Sequence, residues 1–67
     1  MSNKLSPRET EVLKVYMQHG SQAKAGLLMH ISAKTVHTYL RNAMRKLGAR
    51  HLVELVRVCI RERIIEE

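Results

Sequence analysis

The chain has 67 residues, with 12 Lys and Arg against 6 acidic residues, four His and a single Cys. A chain this short buries only about 60% of the surface its unfolded form exposes. That length excludes a two-domain enzyme with a deep interdomain cleft. One Cys cannot close an internal disulfide, which fits a reducing compartment, and a cytoplasmic location is expected. No apolar run approaches 18 residues, so no membrane span or secretory leader is expected. The six acids are all Glu, and there is no Trp or Phe, so the core must be aliphatic.

The charge is unevenly placed. Residues 1–20 carry a net +1 and residues 51–67 a net −1. Residues 21–50 hold Lys24, Lys34, Arg41, Arg45, Lys46 and Arg50 and no acid. A basic field confined to one segment points to a polyanionic partner, most simply double-stranded nucleic acid.

The elements read in chain order as four helices, with no period-two alternation anywhere. Ser6-Pro7-Arg8-Glu9 opens the first: Ser6 caps, Pro7 suits the first turn and Glu9 completes a capping box. Val12, Leu13, Tyr16 and Met17 form its apolar stripe, and Gly20 ends it. Ser21 caps a short second helix reaching about Met29. Gly26 inside it costs about 1 kcal/mol relative to Ala, which is best explained by another helix packing close to the backbone. After His30-Ile31, Ser32 caps a third helix, 33–47, closed by Gly48. Its buried stripe is Val36, Leu40, Ala43 and Leu47. The opposite face carries Lys34, Thr38, Arg41 and Arg45, flanked by His37 and Asn42. A fourth helix is expected from about Leu52 to Arg63 or Ile65. Leu52, Val53, Val56, Cys59, Ile60 and Ile64 would face inward, with Leu55 and Val58 projecting outside that arc.

Helix starts add a second clue. Acids in a first turn complement the positive helix N-terminus. The first and fourth helices have Glu9 and Glu54 there, whereas the second and third have Lys24 and Lys34. Two uncompensated N-termini in the acid-free segment can receive phosphates on their backbone N–H groups. Helices two and three with a short connection have the build of a helix-turn-helix, whose second helix enters the major groove.

Leu5-Ser6-Pro7-Arg8-Glu9-x-Glu11-Val12-Leu13, then Ile31-Ser32-x-Lys34-Thr35-Val36, then Arg41-Asn42-x-Met44-Arg45-Lys46-Leu47-Gly48 together resemble the LuxR/NarL (GerE-type) DNA-binding domain. The resemblance spans nearly the whole chain, read as one domain, 1–67. It implies an all-α, compact four-helix fold with helix three as recognition helix, the output module of bacterial transcriptional regulators. It also implies base contacts from His37, Thr38 and Arg41. Backbone contacts would come from Ser21, Gln22, Ser32, Lys34, Thr35, Arg45 and Lys46. The fourth helix of such domains commonly pairs two subunits, and Leu55 and Val58, with Glu62, would form that homodimer or heterodimer interface.

The chain departs from the family pattern at several positions. Ala25 replaces a large aliphatic and Gly26 the usual Ala, so the second helix should be thin and of low stability. His37 stands where Lys is common, Tyr39 where His is common, and Leu52 where Arg is frequent.

Other chemistries find little support. His19, His30, His37 and His51 are spaced to fall on different elements, and with one Cys and no Asp a zinc site is not expected. Cys59 reads as a small buried apolar residue. No phosphate loop or nucleophile–base–acid set is present, so neither enzymatic activity, a cofactor nor a small-molecule ligand of this domain is expected. The leading reading is a sequence-specific duplex DNA-binding domain. The alternative is a helical interaction module that pairs with another regulator through helix four. Loss of affinity with salt separates the two, because only binding to a polyanion releases counterions in proportion to the contacts made.

Overall fold

The computed structural model describes residues 5–63. Among them lie four helices: α1 (Pro7–His19), α2 (Gln22–Met29), α3 (Ala33–Leu47) and α4 (Leu52–Arg61).

The helix boundaries follow from side-chain capping. Ser6 Oγ accepts from the Glu9 N–H at 3.1 Å, and Glu9 Oε1 accepts from the Ser6 N–H at 2.9 Å. Two otherwise orphaned donors are thereby satisfied reciprocally. Ser21 Oγ accepts from the Lys24 N–H and Ser32 Oγ from the Thr35 N–H, at 3.2 and 3.0 Å. Gly20 and Gly48 end α1 and α3 in the left-handed conformation, at φ 69° and 72°, where a side chain would be strained.

Two caps were not legible in the residue pattern. His30 ends α2 at φ 60°, ψ 38°, a left-handed position occupied here by a residue with a Cβ. His51 begins α4, its Nδ1 accepting from the Glu54 N–H at 3.2 Å. The Glu54 carboxylate in turn accepts from the Arg50 N–H at 2.6 Å. The arrangement differs from the capping box of α1, because Glu54 accepts from the residue before the N-cap rather than from the N-cap itself.

The core comprises Leu5, Val12, Leu13, Ala25, Val36, Leu40, Ala43, Leu55 and Cys59. α3 lies at its centre: α1, α2 and α4 all pack against it. The Val36/Leu40/Ala43 stripe is fully enclosed, with Leu47 packed at its edge. Burying side chains of this size contributes about 1.5–3 kcal/mol for each Val or Leu.

α2 holds its place with its smallest residues. Ala25 and Gly26 are buried, while Leu27 and Leu28 are 77% and 50% exposed. A Cβ on Gly26 would lie 2.6 Å from the Ile31 carbonyl oxygen and 3.1–3.2 Å from the backbone of Ser32 and Ala33. The close approach expected at Gly26 is therefore to the α2–α3 turn and the first residue of α3. The Ile31 N–H donates to the Gly26 carbonyl at 2.9 Å, which ties the turn to α2.

α4 corrects the expectation from sequence. Leu55 and Val58 do not project outward: they are 0% and 7% exposed, and with Cys59 they form the inner face. Val53, expected inside, is 59% exposed, and Val56 and Ile60 are half-buried. The helix also ends at Arg61 rather than Arg63 or Ile65, with Glu62 at its C-cap. Ile64 and Ile65 lie outside the described residues. The reason is pattern width. Seven of the ten α4 residues are apolar, so the apolar arc exceeds what one helix interface covers, and periodicity alone admits more than one rotation. Docking against α3 selects the face.

Candidate nucleic-acid interface

The exposed side of α3 follows directly from the burial of the other. With Val36, Leu40 and Ala43 in the core, Lys34, Thr38, Arg41 and Arg45 emerge on the opposite face and are exposed, as is His37 on one flank. Ser32, Thr35 and Lys46 are also exposed, and Ser21 and Gln22 at the start of α2 are half-buried. The residues singled out on α2 and α3 thus sit on two helices that pack on each other and on the turn between them.

Their side chains are differently committed. Ser21 and Ser32 use their hydroxyl oxygens as caps, and the Ser32 and Thr35 hydroxyls lie 2.9 Å apart. These contacts leave the N–H groups of the first two residues in each helix unused by the caps, without an acid in either first turn. The Thr38 hydroxyl donates to the Lys34 carbonyl at 3.1 Å. One Arg45 nitrogen donates to Asn42 Oδ1 at 3.1 Å. Among the described residues, no hydrogen bond or ion pair engages the side chains of Lys34, His37 or Arg41.

Lys46 stands apart. Its Nζ lies 2.7 Å from Glu9 Oε1, with the Glu9 side chain 7% exposed. Burial by itself raises the Glu9 pKa. The Lys46 ammonium and the Ser6 N–H outweigh that, and the net effect holds the carboxyl below its ordinary value. Glu9 therefore performs two tasks: it caps α1 and it ties that helix to the end of α3. Only the first was readable from local sequence, because no short-range pattern relates positions 9 and 46.

The remaining chemistry is quiet. Burial and, secondarily, Glu62 push the Cys59 thiol up to about 11, away from the reactive thiolate range. No cluster of three His, Cys, Asp or Glu gathers among the described residues. No helix there is long and apolar enough to cross a membrane. For the expected subunit interface, Leu55 and Val58 are in the core, and exposed Glu62 sits at the C-cap of α4. The outward apolar side of α4 consists instead of Val53, Val56 and Ile60.

Comparison with known proteins agrees with this build. Residues 3–59 match the GerE family of bacterial regulatory proteins, the luxR family. The transcriptional activator protein BjaR1 of Bradyrhizobium diazoefficiens is 39% identical over 64 residues, covering 96% of this chain and 26% of that protein. The HTH-type transcriptional activator RamA of Corynebacterium glutamicum is 44% identical over 55 residues, covering 82% of this chain and 20% of that protein. The response regulator RamR of Streptomyces coelicolor is 37% identical over 54 residues, covering 81% and 27%. The chain thus spans about a quarter of the length of the curated relatives it matches. It belongs to the luxR family of bacterial regulatory proteins, as a helix-turn-helix DNA-binding module rather than an enzyme.

Proposed function

We propose that the chain binds duplex DNA sequence-specifically, with α3 in the major groove, and regulates transcription. The observation that carries this reading is the exposed face of α3. It is acid-free, lies opposite the buried stripe, and presents Lys34 and Arg41 with no side-chain partner among the described residues. His37, Thr38 and Arg41 read base edges. Ser21, Gln22, Ser32, Lys34, Thr35 and Arg45 contact the phosphate backbone, where the uncompensated starts of α2 and α3 add N–H donors. Lys46 contributes to the backbone field with a charge already half-answered by Glu9. BjaR1 and RamA are named transcriptional activators, which supports a regulatory role.

Pairing through α4 belongs to the same reading, with its surface reassigned. Val53, Val56 and Ile60 recur at i, i+3 and i+7, a spacing that lines one side of a helix. Two copies joined there would present two α3 helices to half-sites about 10–10.5 base pairs apart, or a multiple of that. The decisive experiment is duplex binding by this chain at a series of salt concentrations. A log–log slope of about −4 or steeper is expected from several neutralised phosphates. Undetectable binding at low salt, or a slope near zero, overturns the reading and favours an apolar interaction module.

A further inference from the structure

Asn42 stands inside α3, where no cap or turn calls for it. Asn is a poorer helix former than Ala, because its amide competes for backbone hydrogen bonds in non-helical conformations. The ends of the helix belong to Ser32 and Gly48, and the buried stripe to Val36, Leu40 and Ala43. Among the described residues, the Asn42 side chain makes one hydrogen bond, and it is to a proposed DNA contact. Its Oδ1 accepts from Arg45 Nη2 at 3.1 Å, one turn further along. Asn42 is half-buried and Arg45 exposed. The neutral amide holds the guanidinium without answering its charge. Lys46 differs, because the Glu9 carboxylate meets it at 2.7 Å. A guanidinium carries several N–H donors. One is taken by Asn42, and the rest stay available for a two-pronged contact with a phosphate.

We infer that Asn42 is a positioning residue for DNA binding, restraining the Arg45 guanidinium before the phosphate backbone arrives. Arg is among the side chains that lose most rotamer freedom when fixed. A side chain already restrained loses less on binding. The Asn42–Arg45 bond also gains strength in the complex, where water is excluded. This inference rests on the proposed role of Arg45 as a backbone contact. It goes beyond it by naming the residue through which that contact is set.

The test is a double-mutant cycle read in duplex binding and in stability. A preferred duplex is first selected with the chain from randomised oligonucleotides. Affinities are then measured over a series of salt concentrations. Arg45→Ala should weaken binding and reduce the log–log salt slope by about one, because one neutralised phosphate is lost. Asn42→Ala should weaken binding by about three- to tenfold, the cost of ordering one long side chain. Its salt slope should not change, because the Arg45 charge stays. In the Arg45→Ala background, Asn42→Ala should cost nothing further, since the group it positions is gone. Thermal unfolding supplies a readout that a merely structural role would move the other way. Asn42→Ala should hold or raise Tm, because Ala is the better helix former.

The inference is overturned if Asn42→Ala binds as tightly as the wild type, or if its loss of affinity comes with a lowered Tm. A penalty that persists in the Arg45→Ala background also overturns it, and makes Asn42 a DNA contact in its own right. So does an Arg45→Ala variant with unchanged affinity and slope, because Arg45 then meets no phosphate. In all these cases salt-dependent binding of the selected duplex still stands, and the proposed function with it. If no duplex shows salt-dependent binding, the proposed function itself fails and the inference falls with it.

Discussion

Glu9 and Lys46 meet at 2.7 Å across 37 positions of chain, joining the first turn of α1 to the last turn of α3. The pair fixes the far end of the exposed helix face to the scaffold. It also removes one cation from full availability at that surface, although Lys46 looks from sequence like any other phosphate-contacting residue.

Glu9→Gln tests this tie. Gln keeps an oxygen that can accept from the Ser6 N–H, so the substitution isolates the charge. A cost of about 1–3 kcal/mol is expected, lowering Tm by several degrees in a domain of this size. The sign of the pH dependence follows from the lowered folded-state pKa of Glu9. Its contribution is present above the unfolded-state pKa and is lost as pH falls through the folded-state value. Thermal unfolding at a series of pH values from 7 downward should show the gap between wild type and Glu9→Gln narrowing as pH falls below the ordinary carboxylate range. A gap that does not narrow with falling pH would assign the effect to packing, not charge.

His30 offers a gain in stability. It holds a left-handed conformation at φ 60°, which costs an L-residue with a Cβ roughly 1–2 kcal/mol. Glycine adopts that region freely but gains entropy in the unfolded chain. His30→Gly should stabilise the protein by about 0.5–1 kcal/mol, while His30→Ala should not. Denaturant midpoints of the two variants measured side by side decide the point.

The rotation of α4 is tested by one charge placed on each side. Leu55 is fully buried, and an unpaired carboxylate there has no partner. Leu55→Glu should unfold the chain, seen as loss of helical circular dichroism. Val53→Glu should fold normally and reduce self-association in sedimentation. The opposite pattern would restore the rotation expected from sequence.

Arg41 has no side-chain partner among the described residues and lies next to Thr38 on the same face. Arg41→Ala should cost about 1–3 kcal/mol in binding to a duplex selected with the chain from randomised oligonucleotides, and flatten the preference at one base position. Competition binding against single-base variants measures both effects. Uniform weakening across all sequences would make Arg41 a phosphate contact.

Local chemistry carried much of this architecture. Ser6, Ser21 and Ser32 as caps, Gly20 and Gly48 as stops, and the Val36/Leu40/Ala43 stripe are decided within a few residues of chain. Hydrogen-bond geometry and helical period act over that distance. Because the buried side of α3 was legible, so was its exposed basic side. The sequence alone therefore determined the four helices, their order, and the face of α3 that carries Lys34, Thr38, Arg41 and Arg45.

What remained lay in contacts between distant parts of the chain. The rotation of α4 was ambiguous because its apolar arc is wider than one interface. The Glu9–Lys46 pair joins positions that no local pattern relates. The need for Gly26 appears only when the turn reaches Ile31 and comes within 2.6 Å of the missing Cβ. Tertiary structure decided these because packing selects among arrangements that local propensity leaves nearly equal in energy.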